Sequence, residues 1–533
     1  MDAPFIASDE PVGLRSAAAV PAVRSGWPVA ATLLIAAYAI LVSFLVVPSN
    51  VDVSWLLTIG ERVLDGERLS VDIIEVNPAF SVWLYLPFVL LERVTGLPAE
   101  FWVSVGVAAL AIASVWFSAR IAMRADQTLK GHPWIVPAAV FSVLFLFPAH
   151  FGEREQIAII ALLPWLALFC LRDRTVDFRA GSAAERIVAG VGAGIFVMIK
   201  PPYSVLALAV PALVNALQRR SFHPLLTTEN MIGASLTIAY LIALTIFMQP
   251  FFTDVMPLLR QVYLPMRMPM VDVLMLWQVT MFVAMTVATL AMAYPGRPDQ
   301  DARTMLLAGA AYVPAFVIMG KGWTYQALPF LTLGVLALML QYTKLKPFRG
   351  PLLLARAGVA LGLFSIVLLT AMQQGLAFTE SRRDLDAATA AIMRATDHPT
   401  IMSIASQLQS SNPLTRMTGA RFVARQQSGW MVNDAGILMG LEQDPAIRQD
   451  LAALRERYTA SLTDELAAKR PDIIVDDGTA GPHPPVPLNS AGQSCMRPLH
   501  DNPEIAEVLR NYRLLHQDAS VTVFIRADIA ARE

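Results

Sequence analysis

Charge is what this chain has least of. Only 16% of its 533 residues are charged, against about 25% in an ordinary soluble domain, while 55% are hydrophobic. Mean hydropathy is accordingly +0.52. The net charge of -1 leaves no surplus cation to meet a polyanion, which argues against a nucleic-acid partner. Cysteine is almost missing. Cys170 is expected near a cytoplasmic helix end and Cys495 outside, so a disulfide between them is not expected and neither has a catalytic setting. The seven histidines are scattered without ligand spacing, which leaves no histidine metal site. The chain has no GxGxxG, no P-loop, no internal repeat, and no Ser/His/Asp or Cys/His set.

What the chain does have is apolar length. Apolar blocks fall at 28–47, 79–96, 100–119, 134–150, 156–171, 186–199, 203–218, 231–249, 270–293, 303–320, 324–341 and 351–372. This is the pattern of a polytopic α-helical membrane protein. The stretch up to Trp27 is polar and holds Arg15 and Arg24. Val29–Val47 follows without a small-x-small cleavage site and reads as a retained first span.

Lysine and arginine mark cytoplasmic connections. The basic ones are Arg120–Lys130, Arg172–Arg186, Arg219-Arg220, Arg297–Arg303 and Lys344–Arg356. All five share one side with the N-terminus only if block 79–96 does not cross. That block is short, holds Pro87 after Pro78, and ends on Glu92-Arg93. It is expected to lie at the surface or re-enter, leaving about eleven crossings with the N-terminus inside and the C-terminus outside. The expected domains are a cytoplasmic tail over 1–27, a transmembrane domain over 28–375 with a first outer loop over 48–98, and a periplasmic α/β domain over 376–533. In the last, strands are expected at Thr400–Ala405, Asp472–Val475 and Val521–Ile525, helices at 382–395, 446–468 and 503–512, and a loop at 479–489.

The outer loops gather the residues that can carry chemistry. The first holds Asp52, then an amphipathic segment 54–64 expected to lie along the membrane surface, then Asp72, Glu75 and Asn77. Later loops hold His150-Phe151-Gly152-Glu153-Arg154-Glu155, Lys200-Pro201-Pro202-Tyr203, the stretch from Asp254 through Arg260 to Arg267, and Lys321-Gly322-Trp323-Thr324-Tyr325. Arg154, Lys200 and Lys321 sit at outer helix ends, where cations are disfavoured without a partner. A lipid phosphate at headgroup depth is one such partner. A carboxylate base beside phosphate-binding cations is the layout for group transfer from a lipid-phosphate donor. Each residue also has a plainer reading. Asp52 can cap the helix that follows, as can Asn50 or Ser49. Glu75-Val-Asn-Pro can be a turn, Glu153-Arg154-Glu155 a self-neutralising surface triplet, and Lys200 a snorkelling lysine. Tyr203, Trp323 and Tyr325 can be members of an aromatic belt.

With those residues in view, the chain resembles the GT-C superfamily of integral membrane glycosyltransferases that use polyprenyl-phosphate sugars. It is most similar to the protein mannosyltransferase and aminoarabinose transferase branch. The first-loop string is Asp52…Gly60…Leu64-Asp65-Gly66…Asp72-Ile-Ile-Glu75-Val-Asn77-Pro78, and the second is Gly152-Glu153-Arg154-Glu155-Gln156 before the apolar run Ile157–Cys170. A single Pro78 before Ala79 replaces the family's Pro-Pro, and the second acidic position is a Glu beside Arg rather than the usual Asp. The resemblance implies Asp52 as general base. It gives acceptor- or base-positioning roles to Glu153, Glu155, Glu75 and His150. It assigns the donor phosphate to Arg154, Lys200, Tyr203, Lys321, Arg260 and Arg267. The implied partners are a polyprenyl-phosphate-linked sugar donor, a glycan, lipid or protein acceptor, and membrane lipids. No cofactor is implied for monophosphate donors, whereas pyrophosphate-using relatives bind Mg²⁺ or Mn²⁺. The implied location is the bacterial inner membrane. An O-antigen-type glycan polymerase or ligase is the first alternative and a lipid-linked-glycan flippase the second.

Overall fold

The computed structural model describes residues 26–46, 50–146, 148–177, 179–200, 203–345, 358, 385–406, 408, 410–477, 499 and 501–530. The expected span 351–372 apart from Gly358, the loop 479–489, Cys495 and nearly all of the N-terminal tail lie outside them.

Among the described residues six helices are long and apolar enough to cross a membrane: Trp27–Phe44, Ala99–Ala125, Arg154–Thr175, Thr228–Phe247, Gln300–Met319 and Thr324–Tyr342. Ile135–Phe145 and Trp277–Ala293 are shorter apolar helices, and Ala183–Ile199 and Leu206–Arg219 complete the bundle. Burial sorts them. The Trp27–Phe44 helix is 22% buried and the Thr228–Phe247 helix 17%, so both turn leucines and isoleucines outward at the perimeter. The Arg154–Thr175 helix is 94% buried and runs through the middle. A helix apolar on every face is stable at either place, because lipid and protein interior both accept hydrocarbon.

The basic connections meet at one end. Arg174 pairs with Asp299 at 2.6 Å, with Asp301 at 3.0 Å and with Asp126 at 3.6 Å. Asp126 also pairs with Lys344, Arg219 with Asp173 at 2.7 Å, and Arg124 with Glu185 at 2.7 Å. Each of the five basic connections contributes to this web. Arg154 opens the same 22-residue helix that Arg174 nearly closes. At 1.5 Å per residue the two ends are separated by about 33 Å, the thickness of a bilayer core. An apolar cavity lies toward the basic end, lined by Val115, Leu129, Leu163, Cys170, Met305 and Leu340 among others. Its walls are almost wholly hydrocarbon and offer little to a sugar or phosphate.

At the other end the first loop never leaves. It forms the helix Val51–Leu64 and the short helices Phe80–Trp83 and Leu86–Thr95. Glu61, Glu92 and Glu100 all pair with the single guanidinium of Arg416. Residues 79–96 therefore begin and end on one side. The Val51–Leu64 helix starts earlier than expected and is covered on most of its circumference, since Val53 to Gly60 and Arg62 are buried. It lies beneath a C-terminal α/β unit rather than open at a membrane surface.

That unit holds a five-stranded sheet in the order β2-β1-β3-β5-β4, with β1 Thr400–Ser403, β2 Arg421–Phe422, β3 Ile473–Asp477, β4 Tyr512–Gln517 and β5 Val521–Arg526. β1 is parallel to both β2 and β3, while β5 is antiparallel to β3 and β4. Three strands fall where their β-branched runs predicted. β2, two residues long, and β4, whose Arg, His and Gln mask alternation, were not expected. Among the helices, Pro445–Lys469 and Pro503–Leu509 match expectation, and Trp430–Leu441 is additional. Arg62 donates to Ala424 O at 2.6 Å, Arg425 O accepts from Ile74 N at 2.8 Å, and the rings of Trp55 and Phe422 meet edge to face at 5.6 Å. These contacts seat the unit on the first loop.

Candidate functional site

Asp52 lies in the first turn of the Val51–Leu64 helix but does not cap it. Asn50 does: its Oδ1 accepts from Val53 N at 2.8 Å with extended backbone, φ -68° and ψ 176°. The Asp52 carboxylate is thereby left for another partner. It accepts from Arg154 Nη2 at 3.2 Å, with 26% of the Asp52 side chain exposed and 4% of Arg154. A carboxylate in a first helical turn also gains from the positive end of the helix dipole.

The Glu153-Arg154-Glu155 triplet is not a self-neutralising surface patch. All three are 4% exposed or less, and each pairs outside the triplet. Glu153 Oε1 accepts from Asn50 Nδ2 at 2.5 Å, Arg154 holds Asp52, and Glu155 pairs with Lys200. Successive residues at a helix start point about 100° apart, so three neighbours can address three elements. The turn that delivers them is built on Gly152 at φ +81°, where a Cβ would meet Val103 Cγ1 at 2.7 Å. Gly152 N donates to Gln156 Oε1 at 2.7 Å, and Gly152 O accepts from Tyr85 Oη at 2.6 Å. Burial pushes the Glu153 carboxyl well above the usual carboxylate range, and the Asp52 and Glu155 charges push it further.

Lys200 ends the Ala183–Ile199 helix, where Pro201 follows in sequence, and its ammonium also stands 5.5 Å from the centre of the Tyr325 ring. Tyr325 stacks on Trp323 at 5.8 Å and touches His150 at 5.7 Å between ring centres. Trp323 in turn meets Tyr263 at 6.3 Å, and Tyr263 meets Trp430 at 6.3 Å. Trp323 and Tyr325 thus belong to an inward aromatic file that leads to the C-terminal unit. Tyr325 is 8% exposed, which corrects the belt reading for it. His150 is half-buried, and burial lowers its pKa to about 4, so the ring is neutral at neutral pH.

Glu75 is a buried brace for the first loop. It accepts from Trp55 Nε1 at 2.5 Å and from Asn77 N at 2.6 Å, and burial pushes its carboxyl up. Lys321 sits between Gly320 and Gly322, both at positive φ, 63° and 69°. Its ammonium donates to Tyr263 O at 2.5 Å and to Met266 O, and lies 4.2 Å from the centre of the Tyr263 ring. Its charge is thus directed to a loop backbone. Tyr203 is half-buried in a short turn, and Arg260 and Arg267 are exposed. Among the described residues no ion pair draws Arg260 or Arg267 into the Asp52–Arg154 cluster.

Several atoms in the cluster keep hydrogen-bonding capacity unspent. Arg154 Nε, Glu153 Oε2, His150 Nδ1 and Gln326 Oε1 are buried and without a partner among the described residues. Among the described residues no group of three or more His, Cys, Asp or Glu converges to hold a metal ion. Sequence reasoning missed Tyr85 and the role of Gln156. Tyr85 left one signal, a phenol inside an apolar block that needs a partner for its hydroxyl.

No family model and no curated protein sequence matches the chain. Solved structures do. ArnT from Cupriavidus metallidurans bound to undecaprenyl phosphate is similar at TM-score 0.52 and 13% identity, covering 95% of this chain and 99% of that one. An archaeal oligosaccharyltransferase, AglB from Archaeoglobus fulgidus in complex with an inhibitory peptide and a dolichol-phosphate, matches at TM-score 0.42 and 13% identity, covering 85% and 69%. Both are GT-C glycosyltransferases.

Proposed function

With a fold shared with ArnT as premise, we propose that this protein is a GT-C glycosyltransferase. It moves a sugar from a polyprenyl-phosphate donor to an acceptor at the outer face of a bacterial inner membrane. The observation that carries the reading is the release of Asp52 from capping and its placement, partly exposed, beside a buried arginine whose Nε is unspent.

Asp52 takes the proton of the acceptor hydroxyl as that oxygen attacks the anomeric carbon. The bond from that carbon to the phosphate oxygen breaks, and the carrier phosphate leaves with the electron pair. Configuration inverts, because a single displacement occurs. Arg154 holds the base in place before reaction and meets the departing phosphate, with Lys200 as a second cation. Glu153 and Asn50 fix the start of the helix that bears Asp52. No step is routed through a metal. The buried charges named here collect at the two ends of the bundle, which favours a reaction at the surface over passage of a substrate through it.

The test is transfer by purified protein from a panel of polyprenyl-phosphate sugars, wild type against Asp52→Asn. Transfer is expected to fall by about 10²–10⁴-fold, the usual worth of a positioned base, with donor binding and Tm retained. Equal transfer in both removes Asp52 as base. Failure of the wild type to bind any such donor removes the lipid-phosphate reading.

A further inference from the structure

The parallel strands of the C-terminal unit end beside an unspent polar cluster. From β1 the chain crosses to β2 on one side, and from β2 it passes back over β1 to β3 on the other. In open α/β sheets the crevice at the carboxyl ends of strands, where the winding reverses, is where ligands bind. The loops leaving those ends are drawn together here. Ala405 O accepts from Gly429 N at 2.8 Å, Ser406 N donates to Asp477 at 2.9 Å, and Ser411 Oγ donates to Gln427 O at 2.8 Å.

Within these loops lie buried groups with nothing to bond. Both side-chain atoms of Asn412, Gln426 Oε1, Gln427 Nε2, Ser406 Oγ and Ser410 Oγ have no hydrogen-bond partner among the described residues. Their residues are 0% to 7% exposed. Leaving one such group unpaired is costly, so a fold that keeps several in loops tied to one another has a partner for them. The unspent set mixes amide and hydroxyl donors with acceptors and contains no unspent charge. That matches a ligand whose groups both donate and accept, as sugar hydroxyls do, and suits a phosphate or a hydrocarbon poorly. Residues flanking the cluster touch the first loop and the Leu259–Tyr263 segment. Arg425, next to Gln426, holds Ile74, and Trp430, two residues beyond Ser428, meets Tyr263 in the aromatic file.

We infer that the carboxyl-end crevice formed by Ser406, Ser410, Asn412, Gln426 and Gln427 binds a neutral sugar residue, the one presented by the glycosyl acceptor. Only the word acceptor rests on the proposed transfer reaction; the crevice and its chemistry stand apart from it.

The experiment is saturation-transfer NMR on the full chain in nanodiscs. The probes are methyl α- and β-glycosides of glucose, mannose and galactose, tested on wild type, Asn412→Leu, Gln427→Met and Asp52→Asn. At least one glycoside is expected to bind saturably to wild type and equally to Asp52→Asn. Binding is expected to be at least tenfold weaker in the Asn412 and Gln427 variants, whose Tm is retained or raised because an unpaired polar group has been replaced by an apolar one. Should either variant lose Tm, Ser410→Ala, which deletes one hydroxyl, supplies the same comparison. Absence of saturable binding to wild type overturns the inference, as does unchanged binding in folded crevice variants or loss in Asp52→Asn. Because no donor enters this assay, those results leave transfer from lipid-linked sugars standing, and loss of transfer in Asp52→Asn leaves the crevice standing.

Discussion

Arg154 and Asp52 stand 102 residues apart in the chain and meet at 3.2 Å, with Arg154 buried and Asp52 partly open. The pair joins the first loop to the loop that precedes the Arg154–Thr175 helix, and it leaves the Asp52 side chain partly exposed beside a buried guanidinium. Arg154→Met is expected to lower stability by about 1–3 kcal/mol, less than a fully buried pair because Asp52 retains water. Adding Asp52→Asn to that variant is expected to recover most of the loss without recovering transfer. Thermal unfolding and single-turnover transfer on the four members of the cycle check this. A double variant as unstable as the single one shows that the two groups do not interact in solution.

Lys200 and Glu155 form the second pair, with Glu155 fully buried. Lys200→Met leaves a carboxylate without its cation and is expected to cost about 3–5 kcal/mol, the usual loss when one partner of a buried pair is removed. Glu155→Gln combined with Lys200→Met is expected to restore Tm while the KM for the donor stays raised. Tm and KM measured together separate the two roles of Lys200.

Arg416 holds Glu61, Glu92 and Glu100, which come from three different helices. Its replacement by alanine gathers three carboxylates around no charge, at about 3–5 kcal/mol. The expected consequence is release of the C-terminal unit from the first loop, read as faster proteolysis between residues 403 and 430. Arg416→Lys keeps the charge but not the fork, so it is expected to fall between the two. Equal proteolysis rates in wild type and Arg416→Ala contradict this account of docking.

His150 gives a pH dependence of known sign. The folded chain protonates it at about 4, against 6.5 for a free imidazole, chiefly because burial disfavours the cation. Between those values the unfolded state binds more protons. The stability supplied by the neutral ring is therefore complete above 6.5 and is lost as pH falls toward 4. Wild-type Tm is expected to drop more steeply than that of His150→Gln across that window and to run parallel to it above. Parallel curves throughout rule the buried imidazole out as the cause.

The sequence by itself determined the membrane class, the clustering of basic connections and the loops whose charged residues come together. Those follow from hydrocarbon length and charge placement, which act locally. Strands β1, β3 and β5 were legible for the same reason, since a run of β-branched residues announces itself. β2 was not: two residues carry no period, and only pairing with β1 makes them a strand. Asp52 was a candidate in the sequence, but its freedom was not. Asp52, Asn50 and Ser49 were all candidates for the cap, and the fold gave it to Asn50, whose amide also reaches Glu153. The same holds for Glu153, Arg154 and Glu155, which look alike as a charge run and differ only in the element each one reaches. Partner choice among ionisable groups depends on distance and desolvation, both set by helices far apart in the chain. Tertiary structure alone decided which carboxylate stayed partly exposed.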